Sequence, residues 1–480
     1  MTGRRSTPGS AWQANAGARR TSTDPAAVAD RRGSLSALVL ASLGFFLITL
    51  DVSIVNLALP SIRSDLGGEI SSQQWILDGY TLFFAALLLC CGNICDRVGA
   101  KRAYLAGIVL FGVASLLCAL APTILALIIA RCVQGATAAL MLPASMTLIR
   151  EAFPEARARA RALGLWAAGG AVASAAGPVL GGALSTWDWR LIFALNVPVC
   201  AVMLLLAPWV RRSPRTNVPF DWVGQALALV GLGSLIYALI EGGVIGYGAP
   251  LILTLIVVGV AALVLFMLVQ TRVANPMMPP GLFDSPQMRV AMFGGFTFIY
   301  AWFGSVFLAS LYLQQYLDIP PSLAGLVFLP SAVLSFFGNL ASGPLANRYG
   351  PRLPVLVGMA SLTIGLGGLA LSARADSAGI VSLALIFIGA GGSVAMPPLA
   401  GVVLEHAPEG QAGIASAVSN TFRQVGGAIA VAVFGVLLVH SDDVVVGMRI
   451  SLTTAALLAA ACLIAGTRLP GPPRRRNASP

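Results

Sequence analysis

Apolar runs of about 20 residues, each bounded by charge, proline or glycine, recur along this 480-residue chain. Their approximate limits are 35–60, 75–95, 103–121, 123–149, 162–184, 191–210, 222–241, 250–270, 290–315, 323–346, 353–373, 379–403, 412–438 and 450–467. Polar residues do not alternate with apolar ones inside a run, as they would in strands facing two environments. Each run is long enough to cross the hydrocarbon core as a helix, which satisfies its own backbone hydrogen bonds in lipid. The pattern therefore predicts an all-α integral membrane protein with fourteen transmembrane helices. An even number of spans returns both termini to one side.

Charge interrupts the pattern most densely between the second and third runs, at Gly92-Asn93-Ile94-Cys95-Asp96-Arg97-Val98-Gly99-Ala100-Lys101-Arg102. A degenerate copy, Gly343-Pro344-Leu345-Ala346-Asn347-Arg348-Tyr349-Gly350-Pro351-Arg352, follows 251 residues later. Gly164 and Gly177 in span 5 match Gly413 and Gly426 in span 13, an offset of 249 at both. Two independent offsets near 250 imply a duplicated architecture. They pair spans 1–6 with spans 9–14 and leave spans 7 and 8 as an insertion. The predicted organisation is a disordered cytoplasmic tail (1–33), a six-helix half (34–210), two inserted helices and a connector (211–288), a second six-helix half (289–468) and a basic tail (469–480). Halves related in this way commonly hold a substrate site near the midplane and alternate its access by rocking.

Composition agrees with a membrane chain: 57% hydrophobic residues and a mean hydropathy of +0.84. The net charge of +11 invites a nucleic-acid reading, which the placement of the 30 Lys and Arg removes. Most fall in the tails and the loops on the side of the termini. Only Arg63, Arg190, Arg374 and Arg449 fall in loops on the other side, and Arg131 and Arg423 lie inside spans. That asymmetry is positive-inside bias and predicts cytoplasmic termini in the cytoplasmic membrane. The seven cysteines all lie in or at the ends of apolar runs, where they act as small hydrophobes rather than as disulfides or metal ligands. Lys101 is the one lysine, and with abundant Ala and Gly this points to a high-GC bacterial source.

Four blocks resemble the major facilitator superfamily, and within it the fourteen-span drug:proton antiporters of EmrB/QacA type. They are Leu50-Asp51-Val52-Ser53-Ile54-Val55-Asn56-Leu57-Ala58-Leu59-Pro60, the Gly92–Arg102 stretch, Arg131-Cys132-Val133-Gln134-Gly135, and the span 5 glycines ending Gly177-Pro178-Val179-Leu180-Gly181-Gly182. The resemblance implies the major facilitator fold, an acid in span 1 that carries the coupling proton, a gating role for the Gly92–Arg102 stretch and a hinge in span 5.

The residues also speak for themselves. An ionisable group inside a span is a functional hypothesis by default, and Asp51 is such a group. Counting from the helix ends at 1.5 Å per residue puts Asp51 about 13 Å and Arg131 about 12 Å deep, so the two share a level. Arg131 is therefore expected to tune the Asp51 charge; packing against carbonyls is the alternative. Thr49, Ser53, Asn56 and Pro60 lie within about 60° of one another, opposite Asp51. Either face could line the cavity, and Asp51 is expected to face it. Asp78 and Tyr80 near the outer end of span 2, Asn56, Gln134, Arg423 and Gln424 are candidates for the substrate cavity. In span 5, Gly169, Gly170, Gly177, Pro178, Gly181 and Gly182 form two small-residue stripes that permit close packing and a bend. Gly92 and Gly99 are expected to allow a tight turn in the loop that carries Asp96, Arg97 and Arg102. Asp96 is the expected latch, which Asn347 in the second copy cannot match.

The chain shows no Walker-type phosphate loop, no nucleophile–base pair and no metal cluster, so an ATP-driven pump and an enzyme are both disfavoured. The expectation is a monomeric proton-coupled antiporter that exports amphipathic small molecules, powered by the proton gradient with no cofactor. Its partners are substrate, protons and the lipid bilayer; the sequence names no accessory envelope protein. A transporter of one defined metabolite, amino acid, siderophore or lipid, or a transporter-like sensor, are the other readings.

Overall fold

A computed structural model describes residues 25–215, 221–273, 275–371, 373–408, 411–441 and 443–471. The described residues contain sixteen α-helices: α1 (Pro25–Leu66), α2 (Ile70–Val98), α3 (Ala100–Ala119), α4 (Ile124–Ala152), α5 (Ala156–Ser185), α6 (Leu191–Ala194), α7 (Asn196–Leu206), α8 (Trp222–Ile245), α9 (Pro250–Gln270), α10 (Pro286–Leu311), α11 (Pro321–Val327), α12 (Leu329–Tyr349), α13 (Arg352–Leu371), α14 (Ala378–Glu405), α15 (Ala412–Val439) and α16 (Val444–Gly466).

Two short helices are fragments of longer spans. Pro198 has no N–H to offer the Ala194 carbonyl, and α6 breaks from α7 there. Pro330 does the same between α11 and α12. With those pairs joined, thirteen segments are long and apolar enough to cross a membrane, and α2, bent by 58° near residues 88–90, makes a fourteenth. Side-chain caps mark several starts. Thr123 accepts from the Ala126 N–H, Asp221 from Gly224 at 2.7 Å, and Ser285 from Met288, next to Pro286 in the first turn.

The packing repeats as the sequence does. In the first half α1 runs along α5, α2 and α3 along α4, and α3 along α7; in the second, α10 runs along α15, α12 and α13 along α14, and α13 along α16. The halves meet reciprocally, α2 against α15 and α5 against α11 and α12. The inserted hairpin α8–α9 lies outside this plan, with α8 laid across α2 and α15. Gln225 of α8 donates to the Ala86 carbonyl at 2.8 Å, and the Trp75 indole donates to Glu241 at 2.7 Å.

Antiparallel crossings put the start of α1, the α2–α3 corner, the α12–α13 corner and the end of α16 on one side, called here the terminal face. Among the described residues, the side-chain hydrogen bonds named here between the halves lie towards the opposite face. Gln74 donates to the Val431 and Ala432 carbonyls, Ser310 to Asn56 O and Gln314 to Leu57 O. The halves are thus zipped at one end.

Several expectations change. Residues 1–24 and 472–480, which hold most of the two expected tails, lie outside the described residues; α1 already begins at Pro25. The Gly92–Arg102 stretch is not a loop. Helix α2 continues through Asp96 and Arg97 to Val98, and Gly99 alone separates it from α3, which carries Arg102. Gly99 takes φ +90°, and its counterpart Gly350 takes φ +75°, so the two corners are built alike. Gly92 sits inside α2 with open space beside it and makes no turn. Arg63 and Arg449 are helical, the first in the last turn of α1 and the second in α16, rather than in loops.

Candidate functional site

Deep in the first half, five helices converge on Asp51. Its Oδ2 accepts from Arg131, while Oδ1 accepts from Gln134 Nε2 at 2.9 Å and from Asn196 Nδ2 at 2.8 Å. Gln134 also donates to Ser115 Oγ at 2.8 Å, and its carbonyl oxygen accepts from Arg131 at 2.7 Å. Arg131 Nε donates to the Ile76 carbonyl at 3.0 Å. The guanidinium lies 4.4 Å from the Tyr80 ring centroid and 5.7 Å from that of Phe193. Every member is buried, with Asp51, Arg131, Gln134, Ser115 and Tyr80 at 0% exposure. An isolated ion is far too costly here, so the cluster exists because each charge finds its opposite and its hydrogen bonds together.

Sequence counting brings Asp51 and Arg131 to one level, and the structure joins them. Gln134 and Tyr80, expected to line the substrate cavity, belong to this cluster instead and line neither cavity described below. Asn196 and Ser115 were missed. Each is an isolated polar group in an apolar run at matching depth, which was the available signal.

The azimuth of α1 is a correction. Asp51 points into the first half, away from the space between the halves. The opposite stripe faces that space. One narrow cavity is lined by Ser53, Asn56, Ser174, Pro178, Trp302, Phe303 and Val306. A second, lined by Val52, Asn56, Leu77, Thr81, Arg131, Phe303 and Val431, shares Asn56 and Phe303 with it. The reason is packing. Gly177 and Gly181 of α5 press on Ser53 and Ile54, and this fixes the rotation of α1. Neither cavity has room for more than about one water molecule.

Asp78 is also corrected. It is not at the mouth of span 2, because α2 starts at Ile70; it is wholly buried on the face that packs against α15 and α8. Its Oδ1 accepts from Thr81 at 3.3 Å, and its Oδ2 has no partner. Arg423 and Gln424 lie on α15, half-buried, nearer the terminal face than Val431.

The span 5 glycines divide by neighbour. Gly170 meets the Phe45 ring, Gly177 and Gly181 meet α1, and a Cβ on Gly169 would stand 3.4 Å from the Ser42 carbonyl oxygen. Gly182 instead abuts Pro321 of the second half, and a Cβ on Gly325 would stand 2.6 Å from the Pro178 carbonyl. On the terminal face, Asp96 is half-buried within electrostatic reach of Arg150. Arg97 and Arg102 are exposed. Lys101 bonds Ser213 and the Val210 carbonyl, and Ser213 bonds Glu151, so the corner is tied to the segment after α7 and to the end of α4. Asn347 at the second corner is exposed. Among the described residues no group of three or more His, Cys, Asp or Glu is placed to hold a metal.

The family model described as Major Facilitator Superfamily matches residues 41–226 and 222–431. The methylenomycin A resistance protein of Streptomyces coelicolor is 37% identical over 446 residues, covering 91% of this chain and 92% of that protein. The multidrug resistance protein Stp of Mycobacterium tuberculosis is 36% identical (85% and 76% covered), and the puromycin resistance protein pur8 of Streptomyces alboniger 37% (80% and 78%). Among solved structures, a D-xylose–proton symporter superposes with a TM-score of 0.64 at 16% identity, covering 91% of this chain and 97% of its own.

Proposed function

The chain belongs to the Major Facilitator Superfamily, and from that premise we propose that it is a proton-coupled antiporter exporting amphipathic drugs, antibiotics or related small molecules across the cytoplasmic membrane. It is a transporter, not an enzyme. The names of its relatives, resistance proteins for methylenomycin A and puromycin and a multidrug resistance protein, support export and this breadth of substrate. The excess of arginine at the helix ends and connections of the terminal face supports a cytoplasmic orientation for that face.

The observation that carries the coupling is the position of Arg131. It binds the Asp51 carboxylate on one side and lines the cavity between the halves on the other. Protonating Asp51 removes the charge that holds Arg131, while Gln134 and Asn196 lose an anionic acceptor. Arg131 is then free to turn to the cavity, and α1, whose other face forms the cavity wall, loses its anchor to α4. Rocking of the halves follows from that release, because α1 is wedged between α5 and the shared cavity. Asp78, with one free oxygen at the α2–α15 contact, is a second proton site on the same path. Asp96, near Arg150, is the latch that holds the terminal ends of α2 and α4 in register.

Direction is tested in everted membrane vesicles with a panel of labelled compounds of either charge, puromycin and fluorescein among them. Export predicts accumulation inside the vesicles when their lumen is acidified, and none with Asp51→Asn. Expulsion from preloaded vesicles under the same gradient would make the protein an importer.

A further inference from the structure

The cavity between the halves presents hydroxyls, an amide and aromatic rings, but neither acid of the region reaches it. Asp51 is turned into the first half, and Asp78 is sealed against α15 and α8. The one charged residue in the lining, Arg131, is already matched by Asp51. A cationic substrate therefore meets no accessible carboxylate there. The nearest unpaired cation along α15 lies about 12 Å nearer the terminal face than Val431, outside both linings.

That cation is Arg423. It lies in α15 eleven residues from the helix start, about 16 Å along the axis from the terminal end. Residues 419–425 are all half-buried, whereas Gly426, Gly427 and Ala428 are buried, so Arg423 sits where the helix passes from the partly open region to the seal. The aliphatic stem lies on Gly295 of α10, whose Cβ position is 3.1 Å from Cγ, which aims the guanidinium along the α10–α15 seam. Gln424 continues the Val431 face two turns nearer the terminal face, with Arg423 about 100° round from it.

Among the described residues, nothing neutralises this group. Among the described residues Arg423 has no acid within ion-pair distance. One of its terminal nitrogens donates to Asn420 Oδ1 at 3.2 Å, and the buried Nε has no acceptor. An arginine kept inside a span without a counter-ion is expensive for the fold, and the shortage is made good by a ligand that brings the charge. The duplication adds a second argument. The glycine register of spans 5 and 13 pairs Arg423 with Ser174, so the arginine is no part of the shared packing plan.

We propose that Arg423 is an anion-binding residue of the substrate path, taking the carboxylate or equivalent acidic group of an amphipathic substrate while the aromatic lining of the cavity takes its apolar body. The proposal rests on the transport reading and narrows its substrate class. The guanidinium fork matches a carboxylate in two parallel hydrogen bonds, while Asn420 holds the remaining edge.

The test uses two xanthene dyes of similar size and opposite charge, fluorescein and rhodamine 6G, with the full-length protein in proteoliposomes. The wild type should take fluorescein at a lower KM than rhodamine 6G. R423Q should raise the fluorescein KM roughly tenfold or more, as loss of a charge-assisted pair implies, and leave rhodamine 6G transport within about twofold. R423K, which keeps the charge and loses the fork, should fall between. Equal loss of both dyes in R423Q and R423K would place Arg423 in packing and overturn the proposal. So would a wild type that prefers rhodamine 6G, or an unchanged fluorescein KM in R423Q. A wild type that moves neither dye, nor puromycin, under a proton gradient would instead overturn the transport reading itself.

Discussion

In the first half, α4 buries Arg131 and Gln134 against Asp51; in the second, α14 occupies the same place with nothing polar at those positions. Pro143 and Pro397 set the register between the two helices, as do Gly135 and Gly389, and they pair Arg131 with Leu385 and Gln134 with Ile388. Both partners are fully buried hydrocarbon. The same arrangement of helices is thus held together once around an ion pair and once around aliphatic side chains. The fold does not need the charges. What the first half retains is a buried polar cluster around an ion pair, and that points to work rather than to stability.

The largest effect should come from cutting the cluster on one side. Asp51→Ala leaves Arg131 buried without its anion and should destabilise the purified protein by about 3–5 kcal/mol, read as a fall in its melting temperature. The double variant Asp51→Leu with Arg131→Leu copies the second half. It should recover most of that stability and still carry no proton-coupled transport. If the double variant transported, the contrast between the halves would have no functional meaning.

A smaller difference is expected where each half packs a glycine of span 4 or 12 on its neighbour. A Cβ on Gly135 would strike the Tyr80 backbone carbonyl, whereas one on Gly389 would meet the Ser331 hydroxyl, which can turn away. Gly135→Ala should cost about 1–3 kcal/mol and Gly389→Ala clearly less. Thermal melts of both variants check the order.

The two glycine corners differ in charge rather than in shape. Asp96→Asn should slow transport about tenfold or more, as loss of a coupling contact in a two-state bundle implies, while Asn347→Ala should be mild. Comparable losses would refute the asymmetry. Smallest of all, Gln74→Ala removes two bonds to the Val431 and Ala432 carbonyls and leaves the Gly182–Pro321 contact on the other crevice in place. At about 1 kcal/mol net, it should change transport a few-fold, seen as easier labelling of cysteines placed at that end.

The spans were legible because hydrocarbon thickness fixes their length, and most observed limits fall within a few residues of the apolar runs. Depth was legible too, since a constant rise per residue placed Asp51 and Arg131 together before any contact was known. Rotation was not. Which face of α1 meets the cavity is decided by Gly177 and Gly181 on another helix, and no periodicity within α1 contains that. Depth also marks Asn196 and Ser115, but which side of their helices turns to Asp51 is set by tertiary packing, as it is for α1. The charged stretch at Gly92–Arg102 reads as a loop because charge ends an apolar run. Helices nonetheless continue past the apolar run, and α2 keeps its hydrogen bonds to Val98.

The central claim is that proton flux through the Asp51–Arg131 cluster drives export. Proton release from proteoliposomes, recorded as a panel of cationic, neutral and anionic compounds is added, tests it most directly. The wild type should release protons in response to transported compounds and export them against a gradient, and Asp51→Asn should do neither. An Asp51→Asn protein that still drives uphill export would contradict the account.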